Sequence, residues 1–206
     1  MTILAFITGL PGSGKTYLGH EIKNNIKNLK VLDTDKLKDK FLESNDPIRI
    51  EFAERLSQFD SVGEKSEEQK NLEIDYTSYY KKVLTQKFKK LNKSKTNYVI
   101  VGQLFLFDMF YHHVPAKQKY FLNVSPEITF VRRNSRWLKN LNKNKKNFKN
   151  LILEGNEFWN FNKLWNFNNY NFIENEYKTL KKFYQKKGYR VGLNEKIINN
   201  IKNLIK

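Results

Sequence analysis

Residues 3–16 read Ile-Leu-Ala-Phe-Ile-Thr-Gly-Leu-Pro-Gly-Ser-Gly-Lys-Thr, an apolar run followed directly by a glycine-rich turn. The last eight residues match the pattern G-x-x-x-x-G-K-[ST], and an amphipathic stretch over Tyr17–Leu29 comes next. A strand, a glycine-rich loop and a helix in this order place successive backbone N–H groups around a phosphate. The stretch therefore predicts a phosphate-binding loop between the first strand and the first helix.

Each residue type in this loop has its own chemical role. Gly9, Gly12 and Gly14 permit a tight bend that turns backbone N–H groups inward. The Lys15 side chain is expected to reach the β- and γ-phosphates of ATP, and the Thr16 hydroxyl is placed to bind Mg²⁺. An unrelated glycine-rich turn would not explain why the strand, the glycines and Lys-Thr occur in register. The predicted nucleotide-binding residues are Gly9, Leu10, Pro11, Gly12, Ser13, Gly14, Lys15, Thr16 and Tyr17.

The composition limits the classes of protein to consider. A chain of 206 residues is long enough for one compact domain over 1–206 with a small insertion and a lid. It has no cysteine, which excludes disulfides, thiolate metal sites and a cysteine nucleophile. No apolar run is long enough to span a membrane, and no basic leader with a cleavage site precedes the first strand. We expect a soluble, cytoplasmic protein that is a monomer or a homodimer.

The net charge of +17 leaves a nucleic-acid partner open. However, the chain has 32 Lys, only 6 Arg, and 26 Asn, an enrichment that AT-rich coding DNA would also impose. Residues 43–75 carry 10 acidic and 4 basic side chains, and this acidic stretch would repel a phosphate backbone. We therefore favour a small molecule over nucleic acid as the partner of this chain.

Apolar periodicity predicts alternating strands and helices. Such alternation is typical of an α/β fold, here a five-stranded parallel sheet with helices on both faces. The predicted strands are Ile3–Thr8, Lys30–Thr34, Asn97–Gln103, Lys119–Val124 and Tyr189–Leu193. The predicted helices are Thr16–Leu29, one beginning within Leu37–Leu42, Glu67–Leu91 and Glu195–Ile205, with a polar region between Pro47 and Ser66.

Polar side chains follow the second and third predicted strands. Asp33 and Asp35 end the second strand, and Gln103 ends the third. Ligands of open parallel sheets bind at the carboxyl ends of strands. One carboxylate can hold Mg²⁺, the other can orient or deprotonate an attacking hydroxyl, and the Gln103 amide can recognise the acceptor. The alternative is that one aspartate only caps the following helix.

Three of the six arginines fall within five residues, at Arg132, Arg133 and Arg136. The planar guanidinium binds phosphate oxygens through two hydrogen bonds, which lysine cannot do. On one helix, Arg132 and Arg136 share a face and Arg133 lies about 100° away. We expect these arginines to bind the transferring phosphoryl group; the alternative is a pair of surface salt bridges.

Residues 139–172 combine a lysine run with a stretch of alternating Asn and aromatic residues. A basic run beside aromatics can stack nucleic-acid bases. We favour a solvated loop followed by a helix whose aromatics pack on the core, because aromatics at near-helical spacing are usually buried. His112 and His113 lack a third metal ligand at suitable spacing and are interpreted as loop residues.

These motifs together resemble the P-loop kinases that include adenylate and other nucleoside monophosphate kinases, shikimate and gluconate kinases, and uridine kinases. The resemblance covers residues 1–42 well and 97–136 moderately. It implies a three-layer P-loop NTPase sandwich similar to adenylate kinase. It further implies an acceptor-binding insertion over 43–96 and a lid over 137–172.

The resemblance also implies roles for individual residues. Gly14-Lys-Thr-Tyr-Leu-Gly-His-Glu21 and Val31-Leu-Asp-Thr-Asp35 resemble shikimate kinase, which implies a metal role for Asp33 and a substrate role for Asp35. The Gly-Gly-Gly turn of that family is replaced here by Val101-Gly-Gln-Leu104, so shikimate itself is not expected. The Arg-Arg-x-x-Arg run resembles the lid entry of uridine and nucleoside monophosphate kinases, where arginines contact phosphates.

The expected activity is transfer of the γ-phosphoryl group of ATP to a nucleoside or a nucleoside monophosphate. One alternative enzyme is a polynucleotide 5′-hydroxyl kinase, favoured by the basic charge. A second alternative is a nucleotide-dependent binding protein without catalysis, since the third strand lacks the terminal acid of a Walker B element.

Overall fold

The chain has an α/β architecture with a five-stranded, all-parallel sheet of order β2-β3-β1-β6-β7. The computed structural model describes residues 2–59, 65–103, 105–106, 109–110, 113–143 and 169–205. The strands are β1 (Ile3–Thr8), β2 (Leu29–Asp33), β3 (Asn97–Val101), β4 (Phe105–Leu106), β5 (Met109–Phe110), β6 (Gln118–Leu122) and β7 (Arg190–Gly192). The helices of the described ranges are α1 (Lys15–Asn25), α2 (Thr34–Leu42), α3 (Pro47–Ser57), α4 (Glu67–Asn92), α5 (Pro126–Lys143), α6 (Tyr170–Lys186) and α7 (Asn194–Ile205).

Parallel neighbours need a long crossover connection, and between β2 and β3 this connection contains α2, α3 and α4. β2 pairs with β3 in register from Leu29 opposite Asn97 to Asp33 opposite Val101. All six residues of β1 are buried, as expected for a strand in the interior of a parallel sheet. The predicted five-stranded parallel sheet is confirmed, and its strand bounds shift by only one or two residues.

The chain divides into two compact units, of which the first contains residues 1–6 and 19–118. Its longest helix, α4, buries one face with Tyr76, Tyr80, Leu84 and Phe88. At the end of α4, the Asn92 side-chain oxygen accepts hydrogen bonds from the backbone N–H groups of Thr2 (3.1 Å) and Ile3 (3.0 Å). This side chain therefore fixes the start of β1 within the unit.

The second unit contains residues 7–18 and 119–206. Its described core is built on β6, where Phe121 stacks on Tyr184 of α6 with ring centroids 5.5 Å apart. Burial raises the pKa of the Tyr184 hydroxyl above its ordinary value. The buried side chains that complete this core include Tyr120, Leu122, Ile173, Tyr189, Ile197 and Ile201.

The end of α1 and the presence of α3 both differ from the predictions. α1 ends at Asn25 rather than Leu29, since Asn28 adopts a left-handed backbone with φ of 59°. The unpredicted helix α3 begins where the Asp46 carboxylate accepts from the N–H of Ile48 (3.0 Å), with Pro47 in the first turn. It was missed because none of its residues is buried, so its apolar pattern is weak.

The short antiparallel pair of β4 and β5 was also not predicted. Of the predicted lid, α5 contains the first residues up to Lys143, and α6 begins at Tyr170. Residues 144–168 lie outside the described residues, as does His112. None of the helices in the described ranges combines the length and the apolar character that a membrane crossing requires.

Candidate phosphate-binding site

The loop between β1 and α1 has the backbone that its glycines were predicted to allow. Gly12 and Gly14 adopt φ angles of 86° and 88°, a region that other L-residues rarely occupy. Gly9 is needed for space instead, because a Cβ there would lie 3.0 Å from the Ser13 hydroxyl and 3.2 Å from Leu122 Cβ. The loop thus ends directly at the first residue of α1, Lys15.

The Lys15 ammonium lies on the loop itself. Its Nζ donates to the carbonyl oxygens of Gly9 (2.8 Å) and Leu10 (2.6 Å). These bonds keep a positive charge at the N-terminal end of α1, whose first backbone N–H groups lack acceptors within the helix. The Lys15 ammonium and the N-terminus of α1 would therefore both attract a phosphate group. Thr16 and Tyr17, the next two predicted residues, are exposed.

One face of α5 packs against the outside of this loop. A Cβ at Gly12 would lie 3.3 Å from the Thr129 carbonyl oxygen and 3.1 Å from Arg133 Cγ. A Cβ at Gly14 would lie 3.0 Å from Arg132 Nη1. Thr129, Arg132 and Arg133 are spaced i, i+3 and i+4, which places them on one side of a helix. The structure therefore brings two of the three predicted arginines to the loop.

The two arginines donate to alternate carbonyls of the loop. Arg132 Nη1 donates to the Ser13 oxygen (3.3 Å), and Arg133 Nε donates to the Pro11 oxygen (2.8 Å). Arg136, the third, is exposed one turn further along α5. Their predicted contact with a transferring phosphoryl group stays a prediction.

Glu176 of α6 completes the environment of Arg133. Its carboxylate pairs with Arg133 Nη2 at 2.7 Å, and the side chains of Arg133 and Glu176 are only 10% and 25% exposed. This is not the surface salt bridge that was considered as an alternative, since both groups are largely withdrawn from water. No sequence motif pointed to Glu176, which is 43 residues from its partner.

The carboxyl end of β2 lies in the other unit and presents the two predicted aspartates. Asp33 is the N-cap of α2, and its carboxylate accepts from the backbone N–H of Asp35 at 2.9 Å. The cap is therefore Asp33, and Asp35 lies exposed in the first turn of the helix.

Thr34, which the sequence did not single out, joins this strand end to the predicted acceptor residue. Its fully buried hydroxyl donates to the Gln103 backbone oxygen at 3.0 Å. Gly102 bends the chain just after β3 with a φ of 126°. The contacts of Thr34 with Gly102 and Gln103 therefore join the loop that carries Asp33 and Asp35 to the loop that carries Gln103. The position of Thr34 between two aspartates is the sequence feature from which its role could have been predicted.

A cluster of rings lies next to this strand end within the same unit. Phe41 of α2 packs on Tyr80 of α4 with centroids 4.6 Å apart. Burial raises the pKa of the Tyr80 hydroxyl, and the nearby carboxylates of Asp35 and Asp39 raise it further. Tyr80 therefore remains a neutral hydroxyl in the field of Asp35. The other rings of the cluster are Phe52, Tyr76 and Tyr79.

One short hydrogen bond joins two helices of the predicted acceptor-binding insertion, residues 43–96. The Tyr79 hydroxyl donates to the Asp46 carboxylate at 2.6 Å and links α4 to the start of α3. This bond lowers the pKa of Asp46 and raises that of Tyr79 to about 12. Asp46 therefore stays ionised and Tyr79 stays protonated near neutral pH.

In the part of the chain that the structure describes, no group of three or more His, Asp or Glu side chains could hold a metal ion. Mg²⁺ that accompanies a nucleotide commonly takes one or two protein ligands, with phosphate oxygens and water supplying the rest. Thr16 and Asp33 each carry an oxygen of the kind that Mg²⁺ binds, and their predicted metal role stays a prediction.

No family model matches the chain, and no curated protein sequence is significantly similar to it. The resemblance to P-loop kinases that the sequence motifs indicate therefore stays a prediction.

Proposed function

We propose that this chain is an ATP-dependent phosphotransferase with a P-loop NTPase fold similar to adenylate kinase. It transfers the γ-phosphoryl group of Mg-ATP to a small acceptor of the nucleoside or nucleoside monophosphate class, as the resemblance of its motifs implies. The supporting observation is the loop at residues 9–16, with left-handed glycines at Gly12 and Gly14, the Lys15 ammonium on the loop, and α1 starting at Lys15.

The roles follow from residue chemistry. Lys15 and the loop amides hold the β- and γ-phosphates, and Thr16 binds Mg²⁺ with help from Asp33. Asp35 orients or deprotonates the acceptor hydroxyl, and Gln103 contacts the acceptor. Arg132 and Arg136 are the proposed ligands of the transferring group, and Arg133 joins them if its bonds to Pro11 and Glu176 are exchanged for phosphate. Phosphoryl transfer needs positioning and charge compensation more than covalent help, which suits this set.

Mg-ATP is expected to raise the melting temperature of the purified chain by about 5–10 °C at 100 times its Kd. The acceptor is then identified by ADP release with nucleosides, nucleoside monophosphates, shikimate, gluconate and a 5′-hydroxyl oligonucleotide. An unchanged melting temperature would refute nucleotide binding. A shift without ADP release for any acceptor would instead favour the non-catalytic binding protein.

Asp33→Asn separates the metal role of Asp33 from its capping role. Asparagine caps helices as well as aspartate does, so α2 should keep its start. The Mg²⁺ concentration for half-maximal turnover should rise about tenfold or more, as for other losses around metal sites. Asp39→Asn, an exposed change on the same helix, is the matched control. Equal Mg²⁺ curves for Asp33→Asn and wild type would remove Asp33 from the metal site.

The net charge of +17 favours one second candidate, a polynucleotide 5′-hydroxyl kinase. It predicts ATP-dependent labelling of an oligonucleotide end that weakens steeply with salt, because counterions are released on binding. Labelling of free nucleosides alone would decide against it.

A further inference from the structure

The orientation of the loop amides is set from outside the loop by two successive arginines. Arg133 donates to the Pro11 oxygen and Arg132 to the Ser13 oxygen. Across a trans peptide, the carbonyl and the next N–H point in opposite directions. The N–H groups of Gly12 and Gly14 therefore point away from α5. Inward-pointing amides are what a phosphate-binding loop requires.

Arg133 is the more firmly held of the two. Its Nε bond to the Pro11 oxygen is 2.8 Å long, and its aliphatic stem lies against Gly12. Gly12 has a φ of 86° and no side chain. The orientation of its peptide planes therefore depends on contacts made by the surrounding residues. One guanidinium thus fixes both the carbonyl and the packing of the same turn.

Glu176 determines where that guanidinium lies. It pairs with Arg133 Nη2 at 2.7 Å, with side-chain exposures of 10% for Arg133 and 25% for Glu176. Removing one partner of a largely buried pair leaves the other charge poorly compensated, unlike the loss of an exposed pair. Without Glu176, Arg133 would turn toward water or toward a bound phosphate and release the Pro11 carbonyl.

We propose that Glu176 and Arg133 are positioning residues for the phosphate-binding loop: Glu176 holds the Arg133 guanidinium on the Pro11 carbonyl, and this contact keeps the loop amides turned toward the nucleotide phosphates. The proposal rests on the nucleotide binding proposed above. It assigns Arg133 to the loop in the bound state as well, in place of the exchange for phosphate considered above. Direct phosphate contact is left to Arg136 and to Arg132, whose longer bond to the Ser13 oxygen (3.3 Å) is then exchanged for phosphate.

The test measures Mg-ATP affinity by calorimetry for wild type, Glu176→Gln, Arg133→Ala and the double variant. Glu176→Gln should weaken binding about tenfold, equivalent to about 1.4 kcal/mol. Because Glu176 acts through Arg133, adding Glu176→Gln to Arg133→Ala should cost no further affinity. Inorganic tripolyphosphate, which lacks a base, should lose affinity by the same factor as ATP.

Glu174→Gln is the matched control, since Glu174 lies two residues away on α6 and pairs at i,i+4 with Lys178, whose side chain is 65% exposed. Its Mg-ATP affinity should stay within about twofold of wild type. Affinity is measured at a temperature where every variant is folded, so a stability loss alone does not change the result.

The other outcomes are separable. If wild type binds Mg-ATP and Glu176→Gln binds it equally well or more tightly, the positioning role is wrong and the proposed function survives. Tighter binding would mean that Glu176 withholds Arg133 from the phosphates. Additive losses in the double variant would also overturn the proposal. If wild type itself fails to bind Mg-ATP, the proposed function fails and the positioning role fails with it.

Discussion

Lys15→Ala is expected to lower ATP turnover by about 10²–10³-fold, the loss typical of removing one group that stabilises charge in a transition state. The Lys15 ammonium is already on the loop, bonded to the oxygens of Gly9 and Leu10. Binding of ATP would exchange these two carbonyl oxygens for phosphate oxygens at the same ammonium. The measurement is ADP release with the acceptor that gives the highest wild-type rate.

Lys23→Ala is the control for this prediction, because Lys23 is an exposed lysine of the same helix. It should keep wild-type turnover. That result would show that losing one positive charge from α1 does not by itself lower ATP turnover. Circular dichroism and the melting temperature of the free protein establish that Lys15→Ala is folded. Turnover within a few-fold of wild type in folded Lys15→Ala would contradict the assignment of residues 9–16 as the catalytic nucleotide site.

Gly102→Ala is expected to destabilise the protein by about 3 kcal/mol, a large part of the stability of an ordinary domain. Gly102 has a φ of 126°, and a Cβ there would lie 1.9 Å from the Thr34 hydroxyl oxygen. That hydroxyl is fully buried and bonded to the Gln103 oxygen, so it cannot simply rotate into water. The free energy of unfolding from urea titration is the measurement.

Gly188→Ala separates backbone strain from the steric clash. Gly188 has a φ of 79°, but no heavy atom of the described chain lies within 4 Å of its would-be Cβ. It should lose only about 1–2 kcal/mol, the cost of the left-handed backbone. Adding Thr34→Ala to Gly102→Ala should recover part of the loss by removing the clashing oxygen. Equal losses for Gly102→Ala and Gly188→Ala would show that the Thr34 contact is unimportant.

The close contact at Gly102 also bears on activity. Thr34 lies between Asp33 and Asp35, and its bond to Gln103 links the ends of β2 and β3. A shift of this bond would displace the residues proposed to hold the metal and the acceptor. Catalytic geometry is sensitive to displacements of about 1 Å. We therefore expect any folded Gly102→Ala protein to lose turnover as well as stability.

The sequence alone determined the local elements of this protein. The apolar run Ile3–Thr8 indicated a buried strand, and the spacing of glycines before Lys15 predicted the loop that the structure contains. Residues 97–101 likewise predicted a central strand. These inferences succeeded because strand burial, turn formation and the start of a helix depend on neighbours within a few residues. Helix α3 was not predicted because it buries no residue and has little apolar periodicity.

Only the tertiary structure decided which side chains surround the loop. Arg132 reaches Ser13 across 119 residues of sequence, and Arg133 reaches Glu176 across 43. Thr34 donates a hydrogen bond to Gln103 across 69 residues of sequence. The positive φ of Gly102, next to Gln103, is likewise not required by any local sequence pattern. Such pairs leave no periodic signal, because they depend on how helices and strand ends pack rather than on spacing along the chain. The phosphate-binding loop could be predicted because it consists of eight consecutive residues. The side chains that orient its amides come from α5 and α6, which lie beside the loop only in the folded chain.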